Sequence, residues 1–149
     1  MARSFVARRP WLCAALALLL TGCDSSTGDA PDRELQQRLT GTWLRDFEED
    51  GIRVRRVMVL ESDGRFREMT RITDAAGTVT QHNHGGEWHF DGTNLKRRYT
   101  SVDGKLPSAP AMPYATFEVS FQSRNEFIGI DHVRKREVRY QRVTDEAQP

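Results

Sequence analysis

Cysteine is nearly missing from this chain of 149 residues: there are two, Cys13 and Cys23. So few exclude a disulfide scaffold. Proline is sparse at six residues, and 38% of the chain is hydrophobic, so neither a low-complexity chain nor an extended disordered one is expected. No apolar run approaches the roughly 20 residues that a helix needs to cross a bilayer. No sign of charge dominates either, with 22 Lys+Arg against 21 Asp+Glu, and this balance gives no reason to expect nucleic-acid binding. Nucleotide and hydrolase signatures are missing: there is no Gly-rich phosphate loop, no Gly-x-Ser-x-Gly elbow and no His-Glu-x-x-His helix. A catalytic pair of carboxylates does not stand out from acids that sit in turns and alternate with bases. The expectation is a binding protein without enzymatic activity.

What is present begins with a targeting segment. Arg3, Arg8 and Arg9 form a positive start, and Trp11 to Leu20 is a short apolar stretch, the layout of a secretory signal over residues 1–22. It ends in Leu20-Thr21-Gly22-Cys23, which resembles the lipobox of bacterial lipoproteins. That resemblance implies cleavage before Cys23, a diacylglycerol on its thiol and a further acyl chain on its freed amino group. It places the protein in the cell envelope, lipid-anchored and facing the periplasm. Asp24 resembles the signal that retains lipoproteins at the inner membrane. Multiple acyl chains anchor stably where one does not. Taking 22 residues from 149 leaves 127 and removes three arginines, so 19 bases face 21 acids and the mature charge is −2. Cys13 is lost and Cys23 is acylated, so no disulfide pair remains.

From Cys23 to residue 38 the expectation is a lipidated N-terminus, a polar tether (Asp24 to Pro31) and a short helix from Asp32 to Leu39, with Asp32 as its N-cap. After Gly41 the pattern is strand and turn. Asp50-Gly51, Asp63-Gly64, Ala76-Gly77, Gly85-Gly86, Asp91-Gly92 and Asp103-Gly104 separate segments rich in β-branched and aromatic residues. Nine strands are predicted near 41–47, 52–61, 65–73, 78–84, 87–91, 95–101, 114–122, 126–132 and 137–143. The fold class is all-β: a small antiparallel up-and-down barrel over 39–144 with a short N-terminal helical turn, closure removing exposed edges. An open sandwich is the competing architecture. Residues 106–113, with three prolines, read as a loop, and 145–149 as a disordered tail.

Gly41-Thr42-Trp43 after a short helix resembles the opening of lipocalin-like domains. The fragment Gly86-Glu87-Trp88-His89-Phe90-Asp91-Gly92 with Leu95 is similar to a hairpin common in them. The resemblance spans about 39–143. It implies a barrel closed at one end by Trp43, on which an arginine of the last strand, Arg139 or Arg142, stacks. The lipocalin Thr-Asp-Tyr motif has no counterpart, which favours the looser lipocalin-like class.

Strand periodicity then selects interior residues. If Leu60 and Phe66 both face inward, so do Glu68 and Thr70; if Leu95 and Tyr99 do, Arg97 goes with them. Glu68, Thr70, Arg97 and Tyr99 are the candidate ligand-binding residues, since polar groups inside a barrel suit an amphipathic or lipid-like ligand. Glu68 and Arg97 could instead pair with each other. Two further surfaces are candidates. With Gly85-Gly86 as a two-residue turn, His82, His84, Glu87 and His89 share one hairpin face and could bind zinc or copper. The runs 53–56, 96–98 and 134–136 are basic and, on neighbouring strands, would make an outer face for lipid head groups or an envelope protein.

Overall fold

The computed structural model describes residues 30–108 and 114–149. The signal segment, Cys23 and the tether lie outside the described residues, as do positions 109–113 of the proline-containing loop. A helix, α1 (Ala30–Leu39), precedes eight strands: β1 (Gly41–Glu49), β2 (Ile52–Leu60), β3 (Arg65–Thr73), β4 (Val79–Phe90), β5 (Asn94–Val102), β6 (Tyr114–Ser123), β7 (Glu126–Asp131) and β8 (Arg136–Val143). All pair antiparallel with their sequence neighbours, and β1 pairs with β8, so the sheet closes as an up-and-down barrel. No described helix is long and apolar enough to cross a membrane.

Local chemistry accounts for the connections. Asp50 and Gly51 both adopt positive φ (53° and 74°), the two-residue turn whose twist matches the flanking strands. Asp103 and Gly104 (49° and 76°) repeat it. Asp74 accepts hydrogen bonds from the Ala76 and Thr78 N–H groups, and Asp91 from those of Thr93 and Asn94.

Gly85-Gly86 departs from the expected pattern. It is no turn: β4 runs unbroken through it, so eight strands form rather than nine. A Cβ on Gly86 would lie 1.9 Å from the Arg98 carbonyl oxygen and 2.9 Å from Phe66 Cε1, and the β4–β5 register shifts between Gly85 and Gly86. The diglycine is a point of close backbone approach at a bulge, a use of glycine that the dipeptide does not distinguish from a turn.

Interior layers follow from the register. At one end Trp43, Leu60, Phe66, Leu95 and Phe127 are at most 1% exposed and fill the barrel, with Trp88 and Phe90 beside them. α1 covers this end: Leu39 is fully buried, its carbonyl accepts the Trp43 Nε1–H at 2.7 Å, and Arg38 lies over the Phe121 ring. Asp32 sits within the first turn of the helix rather than at its cap, near Gly92. Arg142 stacks on Trp43, its Cζ 4.3 Å from the ring centroid, and donates to the Thr40 and Arg38 carbonyls. Arg139 points elsewhere and pairs with Glu126. Beyond β8, Asp145 accepts the Thr42 hydroxyl at 2.7 Å and the Gln148 carbonyl accepts Arg55 Nε at 3.0 Å.

Candidate functional site

The opposite end of the barrel is built differently. Charged and polar side chains point inward there, among them Arg45 (β1), Arg56 (β2), Glu68 and Thr70 (β3), His84 (β4), Arg97 and Tyr99 (β5), Asp131 (β7) and Arg136 (β8), set by the same alternation that fills the closed end with apolar groups. A cavity of about 320 Å³ opens at this end and is bordered by Arg56, Glu68, His84, Arg97, Tyr99 and Phe117, with Arg134, Arg136 and Pro107 toward the rim.

Glu68 is the hub. Its side chain is 2% exposed and Arg97's 1%, and Arg97 Nη1 donates to Glu68 Oε2 at 2.5 Å. Arg56 Nε lies 3.5 Å from Glu68 Oε1 and donates to the Thr70 hydroxyl at 3.0 Å, while His84 Nδ1 lies 3.7 Å from Glu68 Oε1. Burial alone would push the Glu68 carboxyl up. The Arg97 and Arg56 guanidiniums and the hydrogen bond from Arg97 outweigh it and hold the carboxyl below its ordinary value. Burial depresses the His84 imidazole, with Glu68 opposing and Arg56 assisting, so His84 is the neutral member of the group near pH 7.

Arg45 extends the cluster. It is directly opposite Arg56 in the β1–β2 register, and its Cζ lies 4.0 Å from the Phe47 ring centroid. Burial lowers its pKa, Tyr140 raises it, the nearby Arg56 and Arg136 lower it further and Glu68 opposes them. At the rim Asp131 accepts from Arg134 at 3.0 Å, with Arg136 Nε at 3.9 Å. Among the described residues, three polar atoms in this interior are buried without a hydrogen-bond partner: Arg97 Nε, His84 Nδ1 and the Tyr140 hydroxyl. Each such group loses hydration that nothing in the fold replaces.

The four interior residues expected from periodicity therefore lie together inside the barrel. Glu68, Arg97 and Tyr99 border the cavity, and Thr70 stands behind Arg56. The residues that sequence reasoning missed are Arg45, Arg56, Asp131 and Arg136. Their signal was available: period two from Met58 sends Arg56 inward and period two from Val138 sends Arg136 inward, but each sits in a basic run that reads as surface.

The histidine face is not assembled as expected. Because β4 is continuous, His84 stands opposite Glu68, His82 opposite Thr70, Glu87 opposite Arg65 and His89 opposite Lys96. His82 donates or accepts at Asp103 (2.9 Å), Glu87 pairs with Arg98 (2.7 Å), and among the described residues no group of three His, Cys, Asp or Glu side chains could hold a metal ion. A strand carries residues two apart onto one face but keeps those seven apart, His82 and His89, about 23 Å from each other along its length. The three basic runs likewise fall on β2, on β5 and at the start of β8, which are not neighbours, and their alternate arginines face inward. No protein-family model matches the chain, and no curated protein matches it.

Proposed function

We propose that this protein is a lipid-anchored lipoprotein of the bacterial envelope whose lipocalin-like barrel binds a small amphipathic ligand at its open end. The observation that carries the reading is the cavity of about 320 Å³ beside Glu68 and Arg97, at the small end of the range for ligand sites. An eight-stranded barrel is just wide enough for its side chains to fill. Here the α1 end is filled and the other end is not. That open half keeps an ion pair, an imidazole and a tyrosine where apolar side chains would pack more cheaply. Buried pairs of this kind add little stability over well-packed hydrophobic residues, so their presence favours a role in binding.

The lipobox supplies the anchor in this reading, and the polar tether leaves the open end free to meet a ligand at the membrane or in the periplasm. The test uses protein made from the full-length chain and processed by the producing cell, titrated with the fluorescent amphiphile anilinonaphthalene sulfonate. One equivalent is expected to bind to the wild type. Ala115→Trp, which places an indole in the cavity, is expected to weaken binding at least tenfold while the circular dichroism spectrum is unchanged. Equal binding to the two proteins, or no binding to either, refutes the reading.

A further inference from the structure

We propose that the ligand's polar end is an anion, a carboxylate or phosphate-type group, gripped by the arginines of the barrel mouth while its apolar part lies on the β5–β6 wall. This rests on the ligand-binding reading above and adds the charge of the ligand to it.

The charge count at the open end is uneven. Five guanidiniums (Arg45, Arg56, Arg97, Arg134 and Arg136) face two carboxylates, Glu68 and Asp131. Each carboxylate is shared: Glu68 between Arg97 at 2.5 Å and Arg56 at 3.5 Å, Asp131 between Arg134 at 3.0 Å and Arg136 at 3.9 Å. Arg45 has a ring beneath it and, among the described residues, no carboxylate within ion-pair distance. The other acids at this end, Glu48, Glu49, Asp50, Asp74, Asp103 and Glu137, are exposed, Asp74 being committed to its own turn and Asp103 to His82 and the Asn83 N–H. Neutral His84 adds nothing to the balance. Arginine does not shed its proton, so the surplus must be met by an anion or by water.

Position makes an anion the better partner. Arg56 and Arg45 stand side by side on β2 and β1, and β8 with Arg136 is the next strand around the barrel; Arg56 and Arg136 border the cavity and Arg45 stands beside Arg56. Tyr99, Val102, Ala115 and Phe117 on β5 and β6 border the same cavity on another side. A planar guanidinium fork matches the two oxygens of a carboxylate or phosphate. A low-dielectric cleft lined by one sign of charge concentrates its field on an entering counter-ion. The unpartnered Nε of Arg97, an arginine 2% exposed at the floor of this space, is one donor such a group could satisfy.

Isothermal titration with ligands of one tail length separates the possibilities: octanoate, octyl phosphate, octanol and octylamine, with inorganic phosphate as the free anion. Octanoate or octyl phosphate is expected to bind at least tenfold more tightly than octanol, octylamine and inorganic phosphate, and whichever leads identifies the head group. Arg56→Gln and the half-exposed Arg136→Gln are each expected to lower that affinity about fivefold or more, with octanol unaffected. Octanol or octylamine binding within threefold of the anions, or variants without effect, overturns the charge assignment and leaves the barrel a receptor. Inorganic phosphate matching the octyl ligands overturns the amphipathic part. If nothing binds, both proposals fall.

Discussion

Replacing Arg97 by methionine isolates the interaction on which the open end depends. Arg97 and Glu68 are both nearly inaccessible, and Arg97→Met keeps most of the side-chain volume while stranding the carboxylate, with Arg56 at 3.5 Å as its remaining cation. Breaking a buried pair by removing one partner costs about 3–5 kcal/mol, whereas replacing both with apolar residues is often near neutral. With a urea dependence of about 2 kcal/mol per molar, the single variant should lose about 2 M in its unfolding midpoint at pH 7. The double variant Arg97→Met/Glu68→Leu should recover at least half of that loss.

Acidity supplies a second reading of the same pair. The folded Glu68 carboxyl lies below its ordinary value, so its contribution is present above the unfolded glutamate range, about 4.3, and is lost as pH falls through the folded value. In Arg97→Met the stranded carboxyl takes up its proton more readily, so the difference from wild type should shrink between pH 7 and pH 4. A single variant within about 1 kcal/mol of wild type at pH 7, or a double variant less stable than Arg97→Met, would refute the reasoning.

Other substitutions probe the remaining elements. Gly86→Ala should prevent folding or cost several kcal/mol in urea melts, because its methyl would sit on the Arg98 carbonyl of the neighbouring strand. A tolerated alanine would restore the turn interpretation of Gly85-Gly86. Trp43→Ala should cost about 3–5 kcal/mol, since it empties a fully buried site and removes the donor to the Leu39 carbonyl. Arg142→Ala, which removes the partly exposed stacking cap and its hydrogen bonds to the Thr40 and Arg38 carbonyls but empties no fully buried site, should cost clearly less. Zinc titration followed by nuclear magnetic resonance should give the same result for wild type and His89→Ala, because His89 stands opposite Lys96 rather than His82. Loss of a zinc-induced shift in that variant would revive a shared site. Cys23→Ala should abolish labelling by radioactive palmitate and release the protein from the membrane fraction; continued labelling would sink the lipobox reading.

Much of the barrel is legible in the chain because its signals are local. Alternation in β6, with Phe117, Val119 and Phe121 on one face, needs no partner strand to be recognised, and Asp50-Gly51 or Asp103-Gly104 can be read as turns from the conformations those residues accept. The interior placement of Glu68, Thr70, Arg97 and Tyr99 follows from the same period of two, counted from apolar neighbours. Gly85-Gly86 breaks the rule because glycine serves a tight turn and a close backbone approach equally well. Only the presence of Arg98 and Phe66 against its Cα selects between them. That one choice dissolves the histidine cluster, since a hairpin would have folded His89 back beside His82 and a continuous strand holds them apart.

The sequence by itself determined the class of fold, the place of every hairpin except the one expected at Gly85-Gly86, the secretory and lipobox pattern and the inward set on β3 and β5. Each depends on residues within a few positions of one another. Tertiary structure decided which charges meet. Arg45 and Arg56 meet across the β1–β2 hairpin, but Arg136, 91 residues beyond Arg45 in the chain, joins them only because β1 closes onto β8. Ring closure brings the strand of Arg136 beside the one that carries Arg45, and it leaves a cavity at the end that α1 does not cover. Alternation along a strand is written in the chain, but the sum of charges around a closed ring is not.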